Sequence, residues 1–261
     1  MRGGNSPRRG DVTTGVAITA FAGLAACLVF IHVYVQQRDP GSSATVENAR
    51  GRFLNWYSTQ RRIALPIQIE DATVLIVEFI DFRCLTCRTA MDTIETAIQR
   101  VHQRIRLPRP GGIRLITKDF PLDPDCNPAV AQALRESEVG AAKRGQEKEL
   151  QPSLHRGACD AAVAVRLARE EGRAAAMQQW LFSQTGKITR EQVEVAAAGI
   201  GWVRHFAARY ESARMLVERD AVLGRAVGVT SVPTIFINGV RIEGILEPQF
   251  LEMALEYELS R

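Results

Sequence analysis

The stretch "VLIVEFIDFRCLTC", residues 74–87, constrains this chain more than any other. Its first nine residues are β-branched, aromatic or leucine except for two acids, the composition of a central strand covered on both faces. A C-x-x-C pair follows at once. Beyond it, Met91, Ile94, Ile98, Val101 and Ile105 recur at three- and four-residue steps, so an amphipathic helix is expected to open at Cys84. "GGIRLIT" then returns to strand, and the unit should be a right-handed parallel crossover. At a helix start, unpaired amides and the helix dipole favour a thiolate, so Cys84 is the candidate nucleophile and Cys87, one turn in, the resolving thiol. Glu78 lies six residues before Cys84, and strand alternation puts it in the interior with Ile80 and Phe82. A lone buried carboxylate is costly, and the natural role for this one is to accept and return the proton of Cys87, directly or through a water. Asp81 and Asp119 read as solvated charges flanking the sheet end.

The remainder of the chain supplies the other layers. "ALPIQIED" ahead of the strand is a further short β-prone run. Residues of about 127–227 are rich in Ala, Glu, Arg and Leu at helical spacing, a helical insert of domain scale. Asn127-Pro128 reads as an N-cap with a first-turn proline, and Thr189 with Gln192 as a capping box. Trp180, Leu181 and Phe182 read as core of that insert. Strand signals resume in "VPTIFINGVRIEG", where Asn238-Gly239 marks a two-residue hairpin. "EPQFLEMALEYEL" closes the chain as a helix over the sheet, with Leu251, Leu255 and Leu259 on one face. The fold class is therefore α/β.

The N-terminus differs in kind. Residues 12–37 carry no ionised side chain, long enough for a tilted transmembrane helix and too long for an ordinary cleaved signal core. Arg2, Arg8 and Arg9 precede the run while only Arg38, beside Asp39, follows closely, so positive-inside bias keeps residues 1–37 as a cytoplasmic N-terminus plus anchor and exports the rest. "LAAC" ending at Cys27 also matches a lipoprotein lipobox, but the apolar run continues past it. Residues 38–52 have the Pro, Gly, Ser and charge content of a flexible linker, and "FLNWYSTQRR" from Phe53 is apolar enough to pack as a short helix on the domain. The net charge of +4 is scattered, with no basic run interleaved with aromatics, so no nucleic-acid surface is indicated.

Taken together, "VLIVEFIDFRCLTC", the "KDFPL" after the next strand, the helical insert and "GVTSVPTIFINGVRIEG" resemble the thioredoxin superfamily, specifically the DsbA-like, membrane-anchored thiol:disulfide oxidoreductases of bacterial envelopes. The likeness runs from about residue 53 to 261. It implies a thioredoxin fold with a large helical insert, and a cis Val232-Pro233 bond that faces the disulfide and binds substrate main chain. It implies no organic cofactor and no metal; a C-x-x-C that opens a helix behind a buried strand is not a zinc knuckle. The implied substrates are exported proteins with cysteine pairs, and the implied partner is a membrane quinone reductase of the DsbB or vitamin K epoxide reductase type, with the catalytic domain periplasmic. The dipeptide is Leu85-Thr86, without the histidine of the strongest oxidants, so thiolate tuning falls to Thr86 and Arg83. Cys126 and Cys159 are expected either to form a structural disulfide or to relay electrons to Cys84 and Cys87. His155, four residues before Cys159, reads as a surface-loop histidine. Two other functions fit the same resemblance: a tethered reductant, for example in cytochrome c maturation, and a non-catalytic binding module, against which Glu78 and Pro233 argue.

Overall fold

The computed structural model describes residues 40–67, 72–105, 112–143 and 155–261. The apolar run at residues 12–37, and with it the anchor and Cys27, lies outside them. Among the described residues no helix is long and apolar enough to cross a membrane. The chain divides between Arg52 and Phe53.

Among the described residues four strands, numbered β1 to β4 in chain order at residues 74–80, 113–119, 234–237 and 240–243, form one mixed sheet in the order β2-β1-β3-β4. The central strand β1 (Val74–Ile80) is buried along nearly all of its length. It runs parallel to β2 (Ile113–Asp119) and antiparallel to β3 (Thr234–Ile237), which turns at Asn238-Gly239 into the antiparallel β4 (Val240–Glu243). Both turn residues have positive φ, 45° and 83°, as a two-residue hairpin of the primed type requires. Alternation along β1 assigns its faces. Val74 and Ile76 pack with Ile94, Ala97 and Val101 of α2 (Leu85–Arg104) and with Leu251 and Leu255 of the C-terminal helix α8 (Pro248–Leu259). Val77 and Phe79 pack on the other face with Phe120, Phe236 and Ala221, the last of these from α7 (Phe206–Ala226).

The insert between β2 and β3 comprises α3 (Pro128–Lys143), α4 (Ala158–Glu170), α5 (Ala174–Ser183), α6 (Arg190–Gly199) and α7 among the described residues. Local chemistry starts two of these helices. The Asn127 carboxamide oxygen accepts from the Ala129 amide at 3.1 Å, and Thr189 with Gln192 completes a reciprocal capping box. Leu181 and Phe182 are buried in the insert core, which also takes in Phe82, Cys84 and Cys87. Core packing therefore makes the insert one wall of the cysteine site.

Three expectations are corrected. Helix α1 (Pro40–Thr59) occupies most of the stretch read as a flexible linker. Good helix formers such as Ala49, Glu47, Arg50 and Arg52 outweigh Gly41 and Gly51, and a proline at the first helical position costs the helix nothing. From Phe53 onward α1 packs by aromatic contacts, Phe53 on Phe250 with ring centroids 4.9 Å apart and Tyr57 on Tyr257 at 5.6 Å. The β-prone "ALPIQIED" contributes no strand in its described part, only a bridge from Arg62 to Val240 beside it. Asp81 and Asp119 are not solvated; both are buried.

Asp119 is buried because Arg166 of α4 reaches it. The Arg166 guanidinium bonds the Asp119 carboxylate and, at 2.5 Å, that of Asp220 on α7, while Lys118 joins Asp220 at 2.9 Å. This cluster rivets two insert helices to the end of β2. Arg166→Ala would leave the buried Asp119 carboxylate without its bonded partner, and breaking a buried pair from one side costs about 3–5 kcal/mol. Urea denaturation should show a midpoint lowered accordingly with an unchanged slope.

Candidate active site

The turn that ends β1 delivers Cys84 to the N-cap position of α2. The Cys84 amide donates to the Asp81 carbonyl oxygen at 3.0 Å, closing that turn, and the Cys87 amide donates to the Cys84 carbonyl at 3.1 Å, opening the helix. Cys84 is 8% exposed and Cys87 0%, so only one sulfur of the pair is open to a reagent. Both are free thiols. The Thr86 hydroxyl lies 2.9 Å from the Cys84 sulfur, and the main-chain oxygen of Val232 lies 4.0 Å from it. Val232-Pro233 is cis, with Pro233 buried and Val232 at the surface of the site. Leu85, the residue after Cys84, is 69% exposed, an apolar side chain presented to solvent at the start of α2.

Glu78 lies buried in β1, six residues before Cys84, in register with Thr117 of β2 and Ile235 of β3. Its Oε1 accepts from the Thr117 hydroxyl at 2.6 Å, while the buried Oε2 has no hydrogen-bond partner. Cys126 and Cys159 are joined by a disulfide, Cα to Cα 5.8 Å, that ties the loop after β2 to the start of α4.

A family model for the DSBA-like thioredoxin domain matches residues 75–256. The chain belongs to the DsbA-like thioredoxin family. It is a thiol:disulfide oxidoreductase. Among solved structures, a thioredoxin-like oxidoreductase from Silicibacter pomeroyi is similar at 18% identity over 77% of this chain and 93% of that one, TM-score 0.50, a likeness of fold. A probable DsbA oxidoreductase from Streptomyces coelicolor is 17% identical over 72% of this chain and 91% of its own, TM-score 0.49. The catalytic domain of Proteus mirabilis ScsC is 15% identical over 81% and 99%, TM-score 0.48. No curated protein matches the chain.

Within this DsbA-like domain the two thiols have opposite proton affinities. The Cys84 thiol is brought down to about 6, first by the Cys87 S–H that donates to its thiolate, with the Thr86 hydroxyl and the Cys87 amide adding to this against partial burial. Cys87 is pushed strongly up by the same hydrogen bond and by burial. The pair therefore holds one proton, on Cys87, at neutral pH. Glu78 is raised to about 7, chiefly by burial, against the Thr117 hydrogen bond and with the charge of Glu95 assisting. A carboxyl half-ionised near neutral pH suits a group that must both take and give a proton.

Arg83 is used differently from the sequence reading. Its guanidinium bonds the carbonyls of Gln184, at 3.3 Å, and Gly186, so the donors that hold the thiolate are Cys87 and Thr86. Two residues read as bland belong to the site. Asp81 is fully buried beside the cysteine turn, and His155 Nδ1 lies 2.9 Å from its Oδ2. Two signals pointed to them: a second acid inside an otherwise apolar strand end, and a histidine four residues before a cysteine that a disulfide pulls to the sheet.

In the reduced protein, thiolate absorbance at 240 nm should titrate with a midpoint near 6, well below the roughly 8.5 of a free cysteine. Thr86→Val removes one hydrogen bond to a charged acceptor and should raise that midpoint by about one unit. An unmoved midpoint would show that Thr86 does not donate.

Proposed function

We propose that the chain is a membrane-tethered oxidant of the cell envelope, which passes its Cys84-Cys87 disulfide to cysteine pairs of exported proteins. The observation that carries this reading is the stabilised Cys84 thiolate. Whatever stabilises that thiolate stabilises the reduced pair, and so makes the disulfide a stronger oxidant. The apolar run at residues 12–37, with arginines ahead of it, supports the tether and the export of the domain.

A substrate thiolate attacks Cys84, the Cys84-Cys87 bond breaks, and its electron pair leaves on Cys87, which takes up a proton. The second substrate thiolate then attacks the substrate sulfur of the mixed disulfide, and Cys84 departs as a thiolate. The substrate has lost two electrons and the protein has gained them. The Val232 main chain beside the sulfur, with Pro233, offers an edge for substrate backbone, and exposed Leu85 offers apolar contact. Glu78, through its unbonded Oε2, supplies the proton to Cys87 and recovers it when Cys87 attacks in turn. A membrane quinone reductase of the DsbB or vitamin K epoxide reductase type takes the electrons onward, so no bound organic cofactor is needed. Burial of both Cys126 and Cys159 supports a structural rather than a relay role for their disulfide.

Equilibration with glutathione, read by thiol alkylation, should give a potential for Cys84-Cys87 between about −230 and −120 mV; a value near −270 mV, that of thioredoxin, would point to a reductant instead. When expressed in cells, Cys87→Ser should accumulate mixed disulfides through Cys84, and Cys84→Ser should not. Trapping by Cys84→Ser would overturn the assignment of the nucleophile.

Glu78→Gln keeps the shape and the contact with Thr117 but removes the basicity. Resolution of a Cys84 mixed disulfide should slow by about 10–100-fold near neutral pH, at the lower end of general acid–base effects, with little change in melting temperature. Unaltered stopped-flow rates would reduce Glu78 to a tolerated buried acid.

A further inference from the structure

The Asp81 carboxylate lies in the turn that leads to the reactive cysteines and acts on both of them through its charge. It is fully buried and accepts from the Arg83 amide at 2.6 Å, the Leu122 amide at 2.7 Å and the His155 ring at 2.9 Å. An anion three residues before Cys84 opposes a thiolate there, and it raises the proton affinity of both cysteines. Two of its three donors are neutral amides. The third, His155, can carry a full positive charge.

His155 is held in place by an independent set of contacts. Its amide donates to the Leu122 carbonyl at 3.0 Å and its carbonyl accepts from Ala158 at 2.9 Å. The Gly157 amide donates to the Asp123 carboxylate at 2.8 Å, and two residues on Cys159 is bonded to Cys126. The loop after β2 and the turn before α4 are thus fastened to each other, and the histidine between them is brought against Asp81. The charged and titratable groups that act on its ring are Asp81, Cys84 and Arg83 of the cysteine turn; of the adjoining segments, Asp123 bonds the Gly157 amide and Arg156 follows His155 in the chain. Asp123 is occupied by backbone amides, and Arg83 directs its hydrogen bonds to carbonyls of the insert and acts on Asp81 through its charge alone, so His155 is the one of these groups that both bonds Asp81 and can gain or lose a charge.

We propose that His155 and Asp81 form a charge pair that tunes the Cys84 thiolate from outside the C-x-x-C segment, taking the part that a histidine between the cysteines would otherwise play. With His155 protonated, Asp81 is neutralised and the thiolate is favoured; with His155 neutral, the buried carboxylate opposes it. The histidine is a positioning and electrostatic residue and does not touch the transferred atoms. The pairing depends on Cys84 being the thiolate of the pair, and it holds for either direction of electron flow. Coupling is reciprocal: a Cys84 thiolate must raise the proton affinity of His155, which already lies above its ordinary value through the Asp81 hydrogen bond and, more weakly, through Cys84. Reduction by a substrate dithiol therefore takes two electrons, places one proton on Cys87, and draws a further fraction of a proton onto His155.

The test uses His155→Gln, which can still donate to Asp81 but carries no charge. In the reduced variant the 240 nm midpoint of Cys84 should rise by about one unit, and the equilibrium constant for oxidising glutathione should fall about tenfold, equivalent to roughly 30 mV. The difference from the parent should be largest below the raised histidine pKa, where His155 is charged, and should fade as pH rises through it. In the unaltered protein, NMR titration of the His155 ring should give a higher pKa in the reduced than in the oxidised form. That measurement decides the matter alone if the variant does not fold. An unchanged Cys84 midpoint in a folded His155→Gln, or a His155 titration indifferent to the redox state, would overturn the proposal. A parent potential near that of thioredoxin would remove the oxidant reading while leaving the variant-to-parent difference intact.

Discussion

Asp81 accepts hydrogen bonds from the turn that carries the cysteines, from the loop after β2 and from a histidine in the turn before α4. A carboxylate removed from water demands such donors, because each unmet lone pair there costs free energy that folding does not recover elsewhere. Meeting that demand draws three distant parts of the chain to one point. The geometry of Cys84 follows, since the Asp81 carbonyl also receives the Cys84 amide and sets the angle at which the helix begins.

Around this point the apolar residues divide into three packed groups. One lies between the sheet and α2 with α8, one between the sheet and α7, and the third inside the insert. The cysteines belong to the third. The redox pair is therefore packed as an outlying part of the insert core, although its position is dictated by the sheet. The Arg166 cluster and the Cys126-Cys159 disulfide tie those two bodies together beside it.

Features with a local cause are legible in the amino-acid sequence. The strand, the cysteines at a helix start, the Thr189 capping box and the Asn238-Gly239 turn each declare themselves within a few residues. Glu78 was readable as interior because alternation needs only its neighbours. Asp81 and Asp119 were not, because a charge is judged by its partners, and His155 and Arg166 lie 74 and 47 residues away. The stretch before Phe53 misled for the opposite reason: its Pro, Gly and Ser describe a linker locally, while the helix formers after them and the aromatic contacts with α8 decide for a helix.

The Arg83 guanidinium grips the insert through main-chain oxygens, those of Gln184 and Gly186. Such a joint is blind to residue identity on the far side. As far as Arg83 is concerned Gln184 is accordingly free to change, whereas Gly186 is held by a φ of +79° that suits few other residues, Ile188 by its place in the core and Thr189 by its cap. A lineage of such domains could thus remodel the surface bordering the reactive sulfur while the mechanical brace beneath it stays in place.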